Sequence, residues 1–446
     1  MHRKYFLQQA GTLIGGAALA STLLEATPIP ADNRRRVAMV GTSTRGISMW
    51  GIPVLEEFGN LVEFVGLCDI NPGRVETAKK LMKLNCRTYT DLGKMLQETK
   101  PDLLIVTTVD GTHHEQIIKG LNYGINIITE KPMTTDEKKC QAILDAEKKS
   151  GKKVQVTFNL RYAPLSQKIY ELLRSDVIGE LTSVDFHWYL DVIHGADYFR
   201  RWHRLRKNSG SLLVHKATHH FDLMNWWIDS DPEEVFAYGA LEFYGKNGPF
   251  RHTNCRPCPY KDKCKFFWDI TKSQRDVELY VNNEKYDGYL RDGCVYNEDI
   301  DIFDKMAVQV RYANRVQLSY SLTTYSPYEG YRVSISGKKG KLDAFIKYSG
   351  ETGDYDEITI TPSFGKAELI RVPKITTEHG GADGLLRKQI FSPSSTDPSR
   401  QAAGTRDGAM SILLGIAAYH SIDTDQPVKI KDLTSLKPQV KKVYST

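Results

Sequence analysis

Three groups of residues in this chain have the types and spacing to do chemistry. Lys131 stands between Glu130 and Pro132, directly behind the apolar run Ile125–Thr129. A lysine held at a strand terminus can donate to a hydroxyl oxygen or polarise a carbonyl. The proline after it, with its locked φ, restricts where that lysine points. Further along, His215-Lys216-Ala217-Thr218-His219-His220-Phe221-Asp222 reads as helix, and spacings of four and three put His215, His219 and Asp222 on one face. His219 titrates near neutral pH, which suits an acid–base group. The same pair, His215 and His219, also matches a metal-binding spacing or two buried core histidines. We take the acid–base reading and assign no metal to these residues. The third group lies upstream, in Gly41-Thr42-Ser43-Thr44-Arg45-Gly46, between the strand Val37–Val40 and a helical stretch. Backbone N–H groups at such a turn can hold a pyrophosphate, although Ser43 replaces the middle glycine of the usual pattern. Asp69 ends the next strand, where a carboxylate accepts both hydroxyls of an adenosine ribose and repels a 2′-phosphate. That favours NAD over NADP, with Arg74 and Arg45 keeping the phosphorylated form open. Taken together, these parts belong to hydride and proton transfer.

The elements that must position them follow from periodicity. The runs Val37–Val40, Val62–Leu67, Leu103–Val106, Ile125–Thr129 and Val154–Phe158 alternate with helical patterns such as Arg74–Leu84 and His114–Tyr123. Strands alternating with helices predict βαβ units, a parallel sheet and a ligand crevice at the strand ends. From Asn159 the pattern changes to period two, at Leu181–Tyr189, Val235–Phe243, Met306–Val310, Val316–Leu322 and Tyr331–Ser336. That predicts a large, mostly antiparallel open sheet in an α+β domain. The expected organisation is therefore α/β over residues 34–158 and α+β over residues 159–446, with a cysteine-bearing insertion at 245–293. Residues 1–33 read as an export signal and linker, because Arg3-Lys4 precedes the apolar stretch Ala10–Leu24. Arg3-Lys4-Tyr5-Phe6-Leu7 is similar to a degraded twin-arginine signal, which points to export, to a bacterial periplasm. An uncleaved N-terminal anchor is the alternative.

Composition sets the outer limits. A chain of 446 residues is too long for one ordinary core, so two domains are expected. With a net charge of +6 and no long Lys/Arg run, a nucleic-acid track is excluded. The 10% aromatic share fits either a sugar cleft or a large core. Cys255, Cys258, Cys264 and Cys294 could hold a structural zinc or, in an oxidising compartment, form two disulfides. Cys68, Cys86 and Cys140 read as ordinary thiols of the first domain.

Several segments together resemble the Gfo/Idh/MocA family of oxidoreductases. They are Asp110-Gly111-Thr112-His113, Glu130-Lys131-Pro132, Asn159-Leu160-Arg161-Tyr162, Gly210 to Asp222, His379-Gly380-Gly381-Ala382-Asp383 and Ser421 to Val428. The resemblance implies an N-terminal Rossmann domain and a C-terminal α+β domain, with the active site between them. It implies that Gly41, Ser43, Arg45, Gly46 and Asp69 hold the cofactor's phosphate and ribose. Thr107, Thr108, His113, Glu130, Lys131 and Asn159 would line its inner half. Lys131 and His219, with His215 beside them, would act on a hydroxyl of a sugar, glycoside or cyclitol. Arg161, His187, Trp202, Lys216, Tyr325 and Tyr328 would face the substrate. A homo-oligomer built by sheet pairing is also implied. One departure stands out: where the family commonly has an Asp four residues before the catalytic histidine, this chain has His215, followed by Lys216. A second cation there favours an anionic intermediate. That raises an alternative, glycoside cleavage through transient oxidation and elimination with NAD kept bound. A non-catalytic sugar-binding scaffold is disfavoured by the presence of both Lys131 and His219.

Overall fold

A computed structural model of the chain describes residues 34–350, 352–375, 378–392 and 396–441. The expected signal and linker, residues 1–33, lie outside the described residues. The apolar runs of the first domain become strands β1 (Arg35–Val40), β2 (Val62–Cys68), β3 (Arg87–Tyr89), β4 (Leu103–Val106), β5 (Asn126–Thr129) and β6 (Val154–Val156). They form one sheet in the order β3-β2-β1-β4-β5-β6, and every neighbouring pair is parallel. Helices cover both faces, which is why all four residues of β4 are buried. The strand order reverses between β1 and β4, the place where open α/β sheets bind ligands. Strand β3 carries no periodic signal because it is a three-residue edge strand, Arg87-Thr88-Tyr89.

The second domain is built on nine strands: β7 (Leu181–Asp191), β8 (Pro232–Ala240), β9 (Lys305–Tyr312), β10 (Gln317–Ser326), β11 (Gly330–Gly337), β12 (Gly340–Lys347), β13 (Tyr355–Pro362), β14 (Glu368–Pro373) and β15 (Val428–Lys429). Their order is β14-β13-β12-β11-β7-β10-β9-β8-β15, with β7 and β10 parallel and the other neighbours antiparallel. Alternation sends Val184, Phe186, Trp188 and Leu190 of β7 into the core and leaves the residues between them on the opposite face. Two helices cover the inner face, Ala217–Ile228 and Thr405–Thr424. The first is buried at all 12 of its positions, although it carries Thr218, His219, His220, Asp222 and Asn225, so its polar side chains face the site or partners in the core rather than solvent. Much of the aromatic content goes into this core, for example Trp226 stacked on Tyr170 at 4.3 Å.

The segment between β8 and β9, which includes residues 245–293, does more than carry cysteines. Its short helices Gln274–Leu279 and Glu284–Asp287 reach across to the first domain. Thr44 N donates to Tyr280 Oη at 3.0 Å, Asn71 Nδ2 to the Asn283 carbonyl at 2.9 Å, and an Arg74 amino group to Asp287 Oδ2 at 2.7 Å. Gly73 packs so closely here that a Cβ on it would meet Asn283 Oδ1 at 1.9 Å. All seven cysteines are free thiols, so the expected disulfides are not formed. Cys255, Cys258, Cys264 and Cys294 do converge, lining one small apolar-walled pocket with Arg200, Phe250 and Phe266. Among the described residues, however, no group of side chains is placed to hold a metal ion, and the expected zinc finds no support. An Arg200 guanidinium N–H donates to Cys255 Sγ at 3.2 Å. Among the described residues, no helix is long and apolar enough to cross a membrane.

Candidate active site

The turn after β1 is shaped for close approach. Gly41 has φ +89°, and a Cβ there would lie 2.5 Å from the Thr107 carbonyl carbon. Gly46 packs its helix start onto the strand, since a Cβ there would meet the Gly41 oxygen at 2.5 Å. Thr107 Oγ1 donates to the Gly41 carbonyl, tying the ends of β1 and β4 together. Ser43 sits half-buried in this turn, and its carbonyl accepts from Ile47 N at 3.1 Å. Asp69, at the end of β2, is nearly fully buried. Its Oδ2 accepts from Thr42 N at 2.8 Å, and its Oδ1 from Asn71 N at 3.0 Å and from Arg74 at 3.1 Å.

The inner half of the crevice is ordered by ion pairs. Arg45 reaches Glu130 at 2.8 Å and Asp383 at 3.2 Å, and Trp50 Nε1 donates to the same Glu130 oxygen at 2.8 Å. Arg45 and Glu130 therefore bind each other before either meets a ligand. His113 bridges the carbonyls of Pro132 and Thr108, at 2.9 and 3.1 Å. Asn159 donates to Asp383 at 2.6 Å, while its buried Oδ1 has no partner among the described residues. A bare turn at Gly41, a buried ribose-type carboxylate at Asp69 and an orphan amide oxygen at Asn159 all fit a dinucleotide. That oxygen can accept from a carboxamide.

Lys131 closes β5 and donates from Nζ to the His215 carbonyl at 3.1 Å. Burial pulls its pKa down to about 8, against the neighbouring Asp110 and Glu130 carboxylates, which favour its charged form. His215 and Asp110 meet at 2.5 Å, Nδ1 to Oδ2. Burial raises the Asp110 carboxyl and lowers the imidazole, so this pair shares a proton between two groups that both resist charge. His219 lies one turn beyond His215, and its Nδ1 is buried without a partner among the described residues. Burial, then Lys131 and Lys216, hold it well below the usual histidine range, so it stands neutral and ready to accept a proton. Lys216 sits 4.7 Å above the Trp188 ring and 3.9 Å from Glu329, which also meets His194 at 2.6 Å. Trp202 and His203 close the wall, their rings 5.6 and 4.4 Å from that of His215.

The structure thus gathers Lys131, His215, His219, Lys216 and Trp202 at one place. Other expected residues lie elsewhere. Asp222 does not reach the site; it pairs with Arg161 at 2.7 and 2.6 Å in the core. The helix breaks at Lys216 into Leu212–His215 and Ala217–Ile228, so His215 is not on one continuous helix face with His219 and Asp222. Arg161 is fully buried in that pair and cannot meet a substrate. His187, bonded to Ser321 at 2.7 Å, alternates onto the outer face of the sheet, as does Tyr325, stacked on Phe243 at 4.6 Å. Tyr328 packs on that same side against Tyr189 and Phe345. Inward-facing Trp188, together with Asp110, His194, Tyr198, His203 and Glu329, is a site component that sequence reading did not select. For Trp188 the signal was available, since it has the buried parity of β7.

Comparison with known proteins agrees with this geometry. The description "Oxidoreductase family, NAD-binding Rossmann fold" matches residues 35–158, and "Oxidoreductase family, C-terminal alpha/beta domain" matches residues 170–430. The oxidoreductase-named protein YteT of Bacillus subtilis (strain 168) is 38% identical over 427 residues, covering 90% of this chain and 99% of YteT. An inositol 2-dehydrogenase/D-chiro-inositol 3-dehydrogenase of Lactiplantibacillus plantarum is 27% identical over 182 residues, 41% of this chain and about half (49%) of that protein. Among solved structures, levoglucosan dehydrogenase in complex with NADH and L-sorbose superposes with a TM-score of 0.65 at 16% identity, covering 89% of this chain and 99% of that one. The WlbA dehydrogenase from Bordetella pertussis, in complex with NADH and UDP-GlcNAcA, gives 0.60 at 18% identity, covering 89% and 98%. At such identities these two show a shared fold. The two domain matches and the full-length relative go further: this chain is an NAD-binding oxidoreductase of the Gfo/Idh/MocA family.

Proposed function

We propose that the protein oxidises a secondary hydroxyl of a sugar, glycoside or cyclitol, with Lys131 and His219 handling the hydroxyl oxygen and its proton. The observation that carries this is the placement of Lys131 Nζ at the end of β5, on the His215 carbonyl one turn ahead of a neutral His219 whose Nδ1 has no partner among the described residues. Bound NAD would supply the hydride acceptor. Lys131 donates to the substrate oxygen as negative charge develops on it, and His219 takes the hydroxyl proton. The Asp110–His215 pair braces the carbonyl on which Lys131 rests. Trp202 offers an apolar ring to a sugar's C–H face. Asp69 selects NAD over NADP, because Arg74 is already committed to Asp69 and Asp287 and is not free for a 2′-phosphate. The first thirty-three residues support export to a periplasm, and the outward aromatic face of the sheet supports a homo-oligomer.

Glycoside cleavage with retained NAD is the second reading. Lys216 favours it, as a second cation buried close to Lys131 and His219, where an enediolate would be stabilised. The bridge from Tyr280, Asn283 and Asp287 onto Thr44, Asn71 and Arg74 also favours it, since it ties the cofactor domain to the second domain. The deciding experiment starts from protein purified without added nucleotide. Released nucleotide is assayed after denaturation, and intact protein is offered cyclitols, sugars and nitrophenyl glycosides. NADH accumulation without nitrophenol supports oxidation. Nitrophenol without net NADH supports cleavage. Neither product, with NAD bound, would refute both.

A further inference from the structure

We propose that Arg201 and Arg291 form a subsite for the carboxylate of an acidic sugar beside the catalytic histidines; this deepens the sugar-oxidation reading and rests on it. The two guanidiniums arrive from different parts of the chain. Arg201 follows the helix Val192–Arg200 and directly precedes Trp202 and His203, whose rings line the His215 wall. Arg291 comes from the insertion. Its Cζ lies 4.2 Å above the Tyr280 ring, and Tyr280 Oη in turn accepts from Thr44 N in the cofactor turn. The pair therefore spans the space between the cofactor turn and the catalytic histidines.

Protein carboxylates do not saturate these donors. Arg201 pairs with Asp197, but Asp197 is shared with Arg200 at 3.8 Å. Arg291 reaches Asp276 only at 3.5 Å. Arg201 Nε and His203 Nδ1 are buried and have no hydrogen-bond partner among the described residues, and buried Arg291 Nε has only the 3.5 Å approach to Asp276. Native proteins rarely leave buried polar atoms unpaired, and here three under-satisfied ones belong to one cluster. Burial and the like charge of Arg291 hold the Arg201 guanidinium below its usual range in spite of Asp197. Arg201, Lys131 and Arg291 also act together, after burial, to keep His203 uncharged. An anion between two repelling guanidiniums relieves that repulsion, and a carboxylate has the lone pairs and planar geometry that guanidinium forks match. A neutral sugar leaves the repulsion in place, so the pair discriminates as well as binds. The same chemistry could serve a phosphate of the nucleotide. Arg201 lies on the Trp202–His203 wall rather than in the cofactor turn, which favours the substrate.

The test is equilibrium binding by calorimetry to NADH-saturated protein, comparing D-glucuronate, D-galacturonate and D-mannuronate with their parent neutral hexoses. At least one uronate is expected to bind about 10-fold or more tightly than its neutral parent, as expected of hydrogen bonds to charged groups. Arg201→Gln and Arg291→Gln should each weaken the uronate by about 10- to 100-fold, with neutral-sugar and NADH affinities unchanged. Arg201→Lys should recover only part of the loss, because lysine lacks the planar fork. Melting temperatures of the variants confirm folding. Equal binding of every acid and its neutral parent would overturn the proposal. So would an Arg291→Gln variant that loses NADH affinity as much as uronate affinity, which would assign the pair to the nucleotide's phosphates. Failure of the oxidation reading itself would show separately, as absence of NADH formation with any sugar.

Discussion

Lys131 carries a cost that its role explains. Its pKa of about 8 against 10.5 means the folded chain releases a proton that the unfolded chain still holds between those values. Over that window stability rises with pH, and below about pH 8 the penalty of a buried ammonium is fully present. Replacing Lys131 with Met removes the penalty together with the proposed donor to the substrate oxygen. K131M should melt a few degrees above the parent at pH 7 by calorimetry, while kcat falls about 10²- to 10⁴-fold. A variant that melts lower, or keeps its rate, would contradict the assignment. The same group predicts the pH profile. Activity should fall above about pH 8 as Lys131 loses its proton, and on the acid side below the ordinary histidine range, where His219 charges. In K131R the alkaline limb should disappear from the rate profile, whatever its absolute level, because a guanidinium does not titrate there.

At the scale of elements, the helix Ala217–Ile228 positions His219 because Asp222, one turn further on, locks it into the core. Arg161 lies fully buried between Asp222 and Asp407, the latter at 3.1 Å. Asp222→Ala removes the bidentate partner and leaves the fully buried guanidinium with the Asp407 contact, so it should cost about 3 kcal/mol in urea unfolding. A loss below about 0.5 kcal/mol would show that the pair does not anchor this helix. The inserted segment makes a different prediction. Tyr280 is the accessory that the cofactor turn borrows from the second domain. Tyr280→Phe should leave the fold intact yet speed NAD release by about 5- to 10-fold, the worth of one hydrogen bond, read by stopped-flow exchange of bound nucleotide. An unchanged release rate would mean the bridge serves only domain packing.

For the whole molecule, cofactor choice and stability are linked. A ligand that binds only the folded chain stabilises it by about 2.7 kcal/mol at one hundred times its Kd. NAD should therefore raise the melting temperature by several degrees, while equal NADP should do much less, because Asp69 opposes its phosphate. An Asp69→Ala variant should narrow that gap by losing affinity for NAD. If NADP stabilises the native protein as well as NAD does, Asp69 is a structural partner of Thr42 and Arg74 and nothing more.

Five of the six strands of the first domain, the change of period at Asn159, and the placement of Gly41, Asp69 and Lys131 at strand ends and of His219 on a helix could all be read from the chain. Each rests on short-range spacing, which residue types alone determine: apolar β-branched runs make buried parallel strands, and a lysine between Glu and Pro sits where a strand ends. Strands β13 to β15 are weakly marked, since polar and edge strands leave little alternation, whereas β12 alternates at Leu342, Ala344 and Ile346 and its signal was available. The fate of individual side chains was decided only by tertiary packing. Arg161 and Asp222 look like site residues until the core claims them for each other, and the sheet's pleat turns His187 and Tyr325 outward while turning Trp188 in. The partnership of Asp110 with His215, and the reach of Tyr280 and Arg291 to the site from an insertion, join residues far apart in the chain. No local pattern encodes such pairings, because burial and long-range contact set them after the elements have formed.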